Sequence, residues 1–386
     1  MKNKNPHVVH IITRLDLGGA QKVCLLIFKN LQQSGQVNGA SLIAGEGGGF
    51  ADSVKDFENV YLLRNFKHAI GLKAVFYDLA AFFQMIFILR KLKKKYSNLI
   101  VHTHTPKAGV FGRFAAFFAG VKVRVHTIHG LSFNEFQPKP IQLVIKLVEK
   151  FAGFFTTHFI CVSKADFEIC KKIYPNFEKR SSIIYPAVDF ANFAPTVKTN
   201  FDKATEGKNK ITLGVVSCLK GLKNIQELLE IFAELDKKLN ENFDLNLEIV
   251  GDGKFRVGYQ EWITKEKLGN KIKLLGWRED VAVLMKNWDI FVLPSLKEGL
   301  PCSVVEARFA KLPVVSYEVG GVGEIIESGK NGFVAKLHDK EIFKQNLKKL
   351  IINKNLRKNF SQFEDNLEMF KDSFMFEKHT DLYNKL

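Results

Sequence analysis

Cysteine is scarce in this 386-residue chain, with only five. Cys24, Cys161, Cys170, Cys218 and Cys302 are scattered, odd in number and free of any Cys-x-x-Cys pair. That argues against a disulfide framework or a zinc cluster and fits a reducing cytosol. Long apolar runs are also missing. The most hydrophobic stretch, Ala74 to Leu89, is interrupted by Asp78 and Gln84 and is too short to span a bilayer comfortably. Met1 to Pro6 is polar and lacks an apolar signal core, so secretion is not expected. There is no repeat array, no low-complexity segment and no Asp-x-Asp pair to hold a metal. The dinucleotide fingerprint G-x-G-x-x-G is absent too, which weakens a dehydrogenase reading.

What remains is an ordinary globular composition, 46% hydrophobic and 25% charged, at a length that suggests two domains. Its one strong bias is charge, a formal net of +17. Residues 1–195 hold 26 basic and 12 acidic side chains, net +14, leaving +3 for the rest. Such a surface asks for an anionic partner, and the N-terminal half is the part that meets it.

Short β-branched runs alternate with amphipathic ones. Val8–Ile12, Ala40–Ala44, Val60–Leu63, Leu99–His102, Lys122–His126 and Phe159–Val162 read as buried parallel strands. Helical patterns at Gln21–Gln33, Ile70–Lys95, Lys107–Ala119 and Ile141–Phe155 separate them. A second series has strands at Ile211–Val216, Leu245–Val250, Ile272–Leu275, Ile290–Leu293 and Pro313–Tyr317. Its helices are Lys223–Lys237, Val281–Lys286 and Val304–Ala310. The expected class is α/β, two Rossmann-like doubly wound parallel sheets flanking a cleft. The domains fall at 1–190 and 211–365, with a polar linker at 191–210 and a closing helix at 366–386 that is expected to cross back to the first domain.

Ligands of open α/β sheets bind at the carboxyl ends of strands, so chemistry is sought there. Gly18-Gly19 follows the first strand and lets backbone N–H groups approach an anion, although a plain tight turn explains it equally. His102, His104 and His129 end or follow two further strands. Their alternation resembles metal spacing, but no Glu or Cys completes a ligand set, and a strand-end histidine is usually structural. His129, before Gly130, is the better candidate to donate a hydrogen bond to a sugar hydroxyl or to stabilise developing charge. Lys220 and Lys223 lie before a helix whose start matches Asn224-x-x-Glu227, where a diphosphate meets ammonium groups and a helix N-terminus. Solvated surface lysines are the competing reading. Glu298 and Glu306 flank Leu300 in the segment after the apolar strand Ile290–Leu293, and two carboxylates there can accept sugar and ribose hydroxyls. A capping box, Ser303-x-x-Glu306, explains Glu306 but not Glu298.

The span Glu298 to Glu306 resembles the E-x7-E motif of the retaining GT-B glycosyltransferases, in the large family numbered four. Gly18-Gly19-Ala20-Gln21, His102 to Gly109, Thr127 to Gly130, Asp289 to Ala307 and Gly320 to Ile325 resemble further blocks of that family. The resemblance implies a nucleotide-sugar held mainly by the C-terminal domain. Glu298 then contacts the transferred sugar and Glu306 the ribose. Lys223 holds the diphosphate and Gly18-Gly19 closes over it, while His129 meets the donor sugar near the reacting centre. Trp277 and Arg278 match the region beside the nucleobase. One departure stands out: the position where the family commonly has Arg is Cys218 here, and Lys220 is the nearest substitute charge, without the bidentate fork of Arg.

These expectations define a retaining, metal-independent transferase with no cofactor beyond its nucleotide-sugar substrate, UDP by resemblance. Glu298 and His129 are its expected catalytic residues. The acceptor is a saccharide or a polyprenyl-diphosphate-linked glycan. Lys91, Lys93, Lys94 and Lys95, ending one very apolar helix, and Lys146 and Lys150 in another, suit docking on anionic lipid at the inner face of the cytoplasmic membrane. For the apolar faces of those helices, packing on the sheet is the expected role. A nucleic-acid-binding protein is disfavoured because the lysine runs lack interleaved aromatics. A donor-binding relative without catalysis is the other alternative.

Overall fold

Branched apolar runs set both sheets. The protein is described by a computed structural model over residues 5–67, 72–188, 193, 204–205 and 207–386. The chain divides into two compact units, Met1–Ala187 with Ser373–Leu386, and Val188–Asp372. Of the expected linker, residues 191–192, 194–203 and 206 lie outside the described residues, as do Ile70 at the start of an expected helix and the N-terminal residues 1–4.

In the first unit β1 (His7–Arg14), β2 (Ala40–Gly45), β3 (Val60–Leu63), β4 (Leu99–His104), β5 (Val123–Ile128), β6 (His158–Cys161) and β7 (Ser181–Ile183) pair in the order β3-β2-β1-β4-β5-β6-β7. Every pairing is parallel. β2 and β4 are buried along their whole length and β1 nearly so. Covered on both faces, such strands read as continuous apolar runs rather than alternating ones. Helices Gly19–Gln33, Leu72–Lys95, Pro106–Phe118, Lys139–Phe154 and Lys164–Lys171 make the crossovers.

The second unit repeats the plan. β9 (Lys208–Val216), β10 (Phe243–Val250), β11 (Ile272–Gly276), β12 (Ile290–Leu293), β13 (Val314–Tyr317) and β14 (Gly332–Ala335) run parallel in the order β11-β10-β9-β12-β13-β14. The two-residue β8 (Ala204–Thr205) pairs antiparallel with β9. Each expected strand is present, while β7, β8 and β14 were not anticipated. β9 starts at Lys208, inside the segment expected to be linker.

The final helix, Asp372–Lys385, packs on the first unit. Tyr383 OH lies 2.6 Å from His102 Nδ1, Thr380 donates to Gln36, and the Ala187 N–H meets the Met375 sulfur. In each sheet strand order reverses between two neighbours: β1 and β4 in the first, β9 and β12 in the second. Loops leaving the carboxyl ends of such a pair diverge and open a crevice, and Gly18, Gly19, Lys220, Lys223 and Glu298 follow strands of these pairs.

Candidate functional site

In the second unit three loops converge at the β9/β12 reversal. The loop after β9 carries Lys220, which is exposed, and Lys223, which ends a single 3-10 turn, Gly221–Lys223. The loop after β12 carries Glu298 and Leu300. The two loops are tied by the Leu296 N–H donating to Leu222 O at 2.9 Å. The decisive contact is Lys223 Nζ to Glu298 Oε1 at 2.6 Å, both side chains mostly shielded. The two charges neutralise each other, and the contact sets a cation beside a carboxylate at this strand end. The third loop, after β13, packs Gly320 against this one. Gly320 has φ +50°, and a Cβ there would collide with the carbonyl oxygens of Glu298 and Gly299, so only glycine fits.

Two helix starts differ from expectation. Asn224 adopts the left-handed conformation (φ 53°) ahead of the helix Ile225–Leu239 and makes no side-chain cap. Its amide donates instead to Glu227 Oε1, which also accepts from Tyr317 OH at 2.6 Å. The helix Cys302–Phe309 begins before Ser303, with Pro301 as its cap residue and no side-chain cap bond. Ser303 is therefore not the cap residue that the capping-box reading needs, and Glu306 is buried one turn into the helix. Leu300 is buried as well. Trp277 and Arg278 follow β11, outside the β9/β12 pair, where Trp277 is exposed and Arg278 pairs with Asp280. Cys218 is partly buried in the β9 loop.

In the first unit Gly18 is extended and precedes the helix Gly19–Gln33, whose first residue Gly19 is exposed. His129 follows β5 and lines a cavity of about 140 Å³ together with Thr127, Gly130, Ser132, Glu149 and Tyr174. Behind it lies a cluster the sequence only half disclosed. His104 Nδ1 is 3.0 Å from His129 Nε2, and His104 Nε2 is 3.0 Å from Nδ1 of His10 on β1. His102 bridges Tyr383 OH and Thr127 Oγ1. Burial pushes the pKa of each of these imidazoles down, that of His10 to about 3. They are neutral at physiological pH. Nitrogens of His10, His102 and His104 lie within 4.8 Å of one another, the spacing of a possible metal set. Hydrogen-bond partners already occupy all four ring nitrogens of His102 and His104. Gly109 serves this layer too, since a Cβ there would sit 2.5 Å from the His126 ring.

The six site lysines of this unit, Lys91, Lys93, Lys94, Lys95, Lys146 and Lys150, are all exposed. The expectation that the neighbouring apolar faces pack on the sheet fails for the helix Lys139–Phe154. Its Leu143, Val144, Leu147, Phe151 and Phe154 point to solvent, Phe154 being 65% exposed. What it turns inward is Glu149, paired with the fully buried Arg113 at 3.2 Å and hydrogen-bonded by Tyr174 OH. The helix Leu72–Lys95 buries Met85, Leu89 and Leu92 yet exposes Phe76, Phe83 and Phe87. Ring contacts tie Leu72–Lys95, Pro106–Phe118 and the Lys139–Phe154 region together: Phe82 meets Phe118, Phe117 meets Phe155, and Phe114 meets Phe151. Among the described residues no helix is long and apolar enough to cross a membrane.

Residues 17–192 match the profile described as Glycosyltransferase Family 4, and residues 196–366 that of Glycosyl transferases group 1. The chain is 34% identical over 348 residues to an Escherichia coli UDP-Gal:alpha-D-GlcNAc-diphosphoundecaprenol alpha-1,3-galactosyltransferase, covering 87% of this chain and 85% of the relative. It is 25% identical to a Campylobacter jejuni N,N'-diacetylbacillosaminyl-diphospho-undecaprenol alpha-1,3-N-acetylgalactosaminyltransferase, covering 82% and 87%. Among solved structures, Anabaena HepE in complex with UDP and glucose superposes with a TM-score of 0.77 at 20% identity, covering 98% of this chain and 99% of that one.

Proposed function

Because the chain belongs to the GT-B glycosyltransferases of bacterial glycan biosynthesis, we propose that it transfers a sugar from a UDP-sugar to a lipid-linked saccharide, with retention of anomeric configuration and without a metal. The observation that carries this is the Lys223–Glu298 pair at the β9/β12 reversal, a cation for the diphosphate held against a carboxylate for the sugar hydroxyls. Lys220, Lys223 and backbone N–H groups stabilise the diphosphate as the bond from the anomeric carbon to its oxygen breaks. That oxygen keeps the electron pair. The acceptor hydroxyl bonds to the same face of the oxocarbenium-like sugar, and its proton passes to the departing diphosphate. Glu298 binds hydroxyls and is not a covalent nucleophile; Glu306 takes the ribose. By resemblance we assign Gly18, Gly19 and His129 to the diphosphate and the donor sugar, and Trp277 and Arg278 to the nucleobase.

The acceptor reading draws on the lipid-linked acceptors named for the two relatives and on the first unit's surface. The exposed phenylalanines and the exposed Lys91, Lys93, Lys94, Lys95, Lys146 and Lys150 of the same unit suit an anionic bilayer, and we assign the protein a peripheral position at its cytoplasmic face. Glu298→Ala tests the site. Nucleotide release and product formation should fall at least on the order of 10²-fold with thermal stability retained. Full activity in that variant removes Glu298 from the site. Donor binding without turnover in the wild-type chain would instead favour a catalytically silent relative, the reading Cys218 invites.

A further inference from the structure

The histidine chain behind His129 has a direction, and the direction assigns a proton. Each neutral imidazole carries one N–H and one bare nitrogen, so a row of three in contact can be ordered in only two ways. In one, His10 Nδ1–H donates to His104 Nε2, and His104 Nδ1–H donates to His129 Nε2. In the other every donor is reversed, and the far end of the row, His10 Nε2, must carry a hydrogen. That nitrogen is fully buried and has no hydrogen-bond partner among the described residues. An orphaned buried N–H is the costlier defect, and an unused lone pair is the one that native interiors tolerate.

We infer that His10 and His104 are positioning residues that lock His129 in its Nδ1–H form, so that the nitrogen not used in the chain is a fixed hydrogen-bond donor at the cavity. The inference rests, for its chemical meaning, on the transferase reading: a His129 held this way donates to a hydroxyl or to developing negative charge and does not act as a base. The three rings come from separate strands and a loop, β1, β4 and the turn after β5, so the sheet itself supplies the rigidity. Charging His104 or His129 while the row keeps this order would set two N–H groups face to face, and burial opposes the charge.

Nitrogen-15 spectroscopy of the full chain, labelled in its histidines and without donor, reads which ring nitrogen of His129 is protonated. The signal is assigned by its loss in His129→Gln. The expected result is a protonated Nδ1 and a bare Nε2. A proton on Nε2 in the wild-type chain overturns the inference, whatever the fate of the transferase reading. His104→Asn keeps an amide donor toward Nε2 and should hold the tautomer; His104→Leu, where it folds, should release it. An unchanged tautomer in folded His104→Leu also overturns it. In transfer assays His104→Leu should lower kcat on the order of 10²-fold with little change in donor KM, and His104→Asn should recover most of the loss. If one equivalent of Zn²⁺ shifts the His10, His102 and His104 signals together, the cluster is a metal site and the relay is wrong.

Discussion

Two amphipathic helices of similar length, Lys139–Phe154 and Ile225–Leu239, have opposite fates. In the second unit Ile225, Leu228, Leu229, Ile231, Phe232 and Leu235 are all buried, and the charged side lies outward. In the first unit the pattern is inverted: the apolar stripe is outside and a glutamate is inside, held by Arg113. Periodicity states that a helix has a greasy face. It does not state what covers that face. In Ile225–Leu239 it is the protein's own sheet; in Lys139–Phe154 the stripe stays exposed, and the membrane docking proposed above is what would cover it.

Substitution separates the two. Phe232→Ala should destabilise the second unit by about 3–5 kcal/mol through a cavity in a packed core. Phe151→Ser with Leu147→Ser should move stability by only about 0.5 kcal/mol, and calorimetry of both variants reads the contrast. The same pair should nevertheless lower binding to anionic vesicles on the order of tenfold, whereas a large loss of stability would place these residues in a core. A smaller effect is expected from Lys91, Lys93, Lys94 and Lys95 changed together to Gln. Vesicle binding should weaken several-fold at low salt and lose much of its salt dependence, with stability unmoved. Co-sedimentation that is indifferent to salt in the wild-type chain would contradict the electrostatic part of the account.

Much of the fold was legible because parallel strands buried on both faces leave continuous apolar runs, as at Ile290–Leu293, bounded by glycine-rich turns. The site loops were legible for a related reason: strand-end segments such as Pro294 to Pro301 carry Gly, Pro and Glu that no core requires. β7, Ser-Ser-Ile, is 3 residues long and mostly polar, and β14 starts at the Asn-Gly pair 331–332, which reads as a turn. His10 looked like an interior residue among Val8, Val9, Ile11 and Ile12, and its partner is 94 residues away. The pairing of Lys223 with Glu298, across 75 residues, likewise appears only once β9 and β12 lie side by side. The capping box failed because its pattern is local, whereas the true helix start was set by Pro301 and the loop packing around it.

The most direct test of the whole account is transfer itself. The purified chain, given a panel of nucleotide-sugars and a polyprenyl-diphosphate-linked saccharide in anionic vesicles, should release UDP only when one matching donor and the acceptor are both present. The product should carry the sugar with the donor's anomeric configuration by NMR. Release of UDP with inversion, or no lipid-linked product with any donor while the chain stays folded, would contradict it.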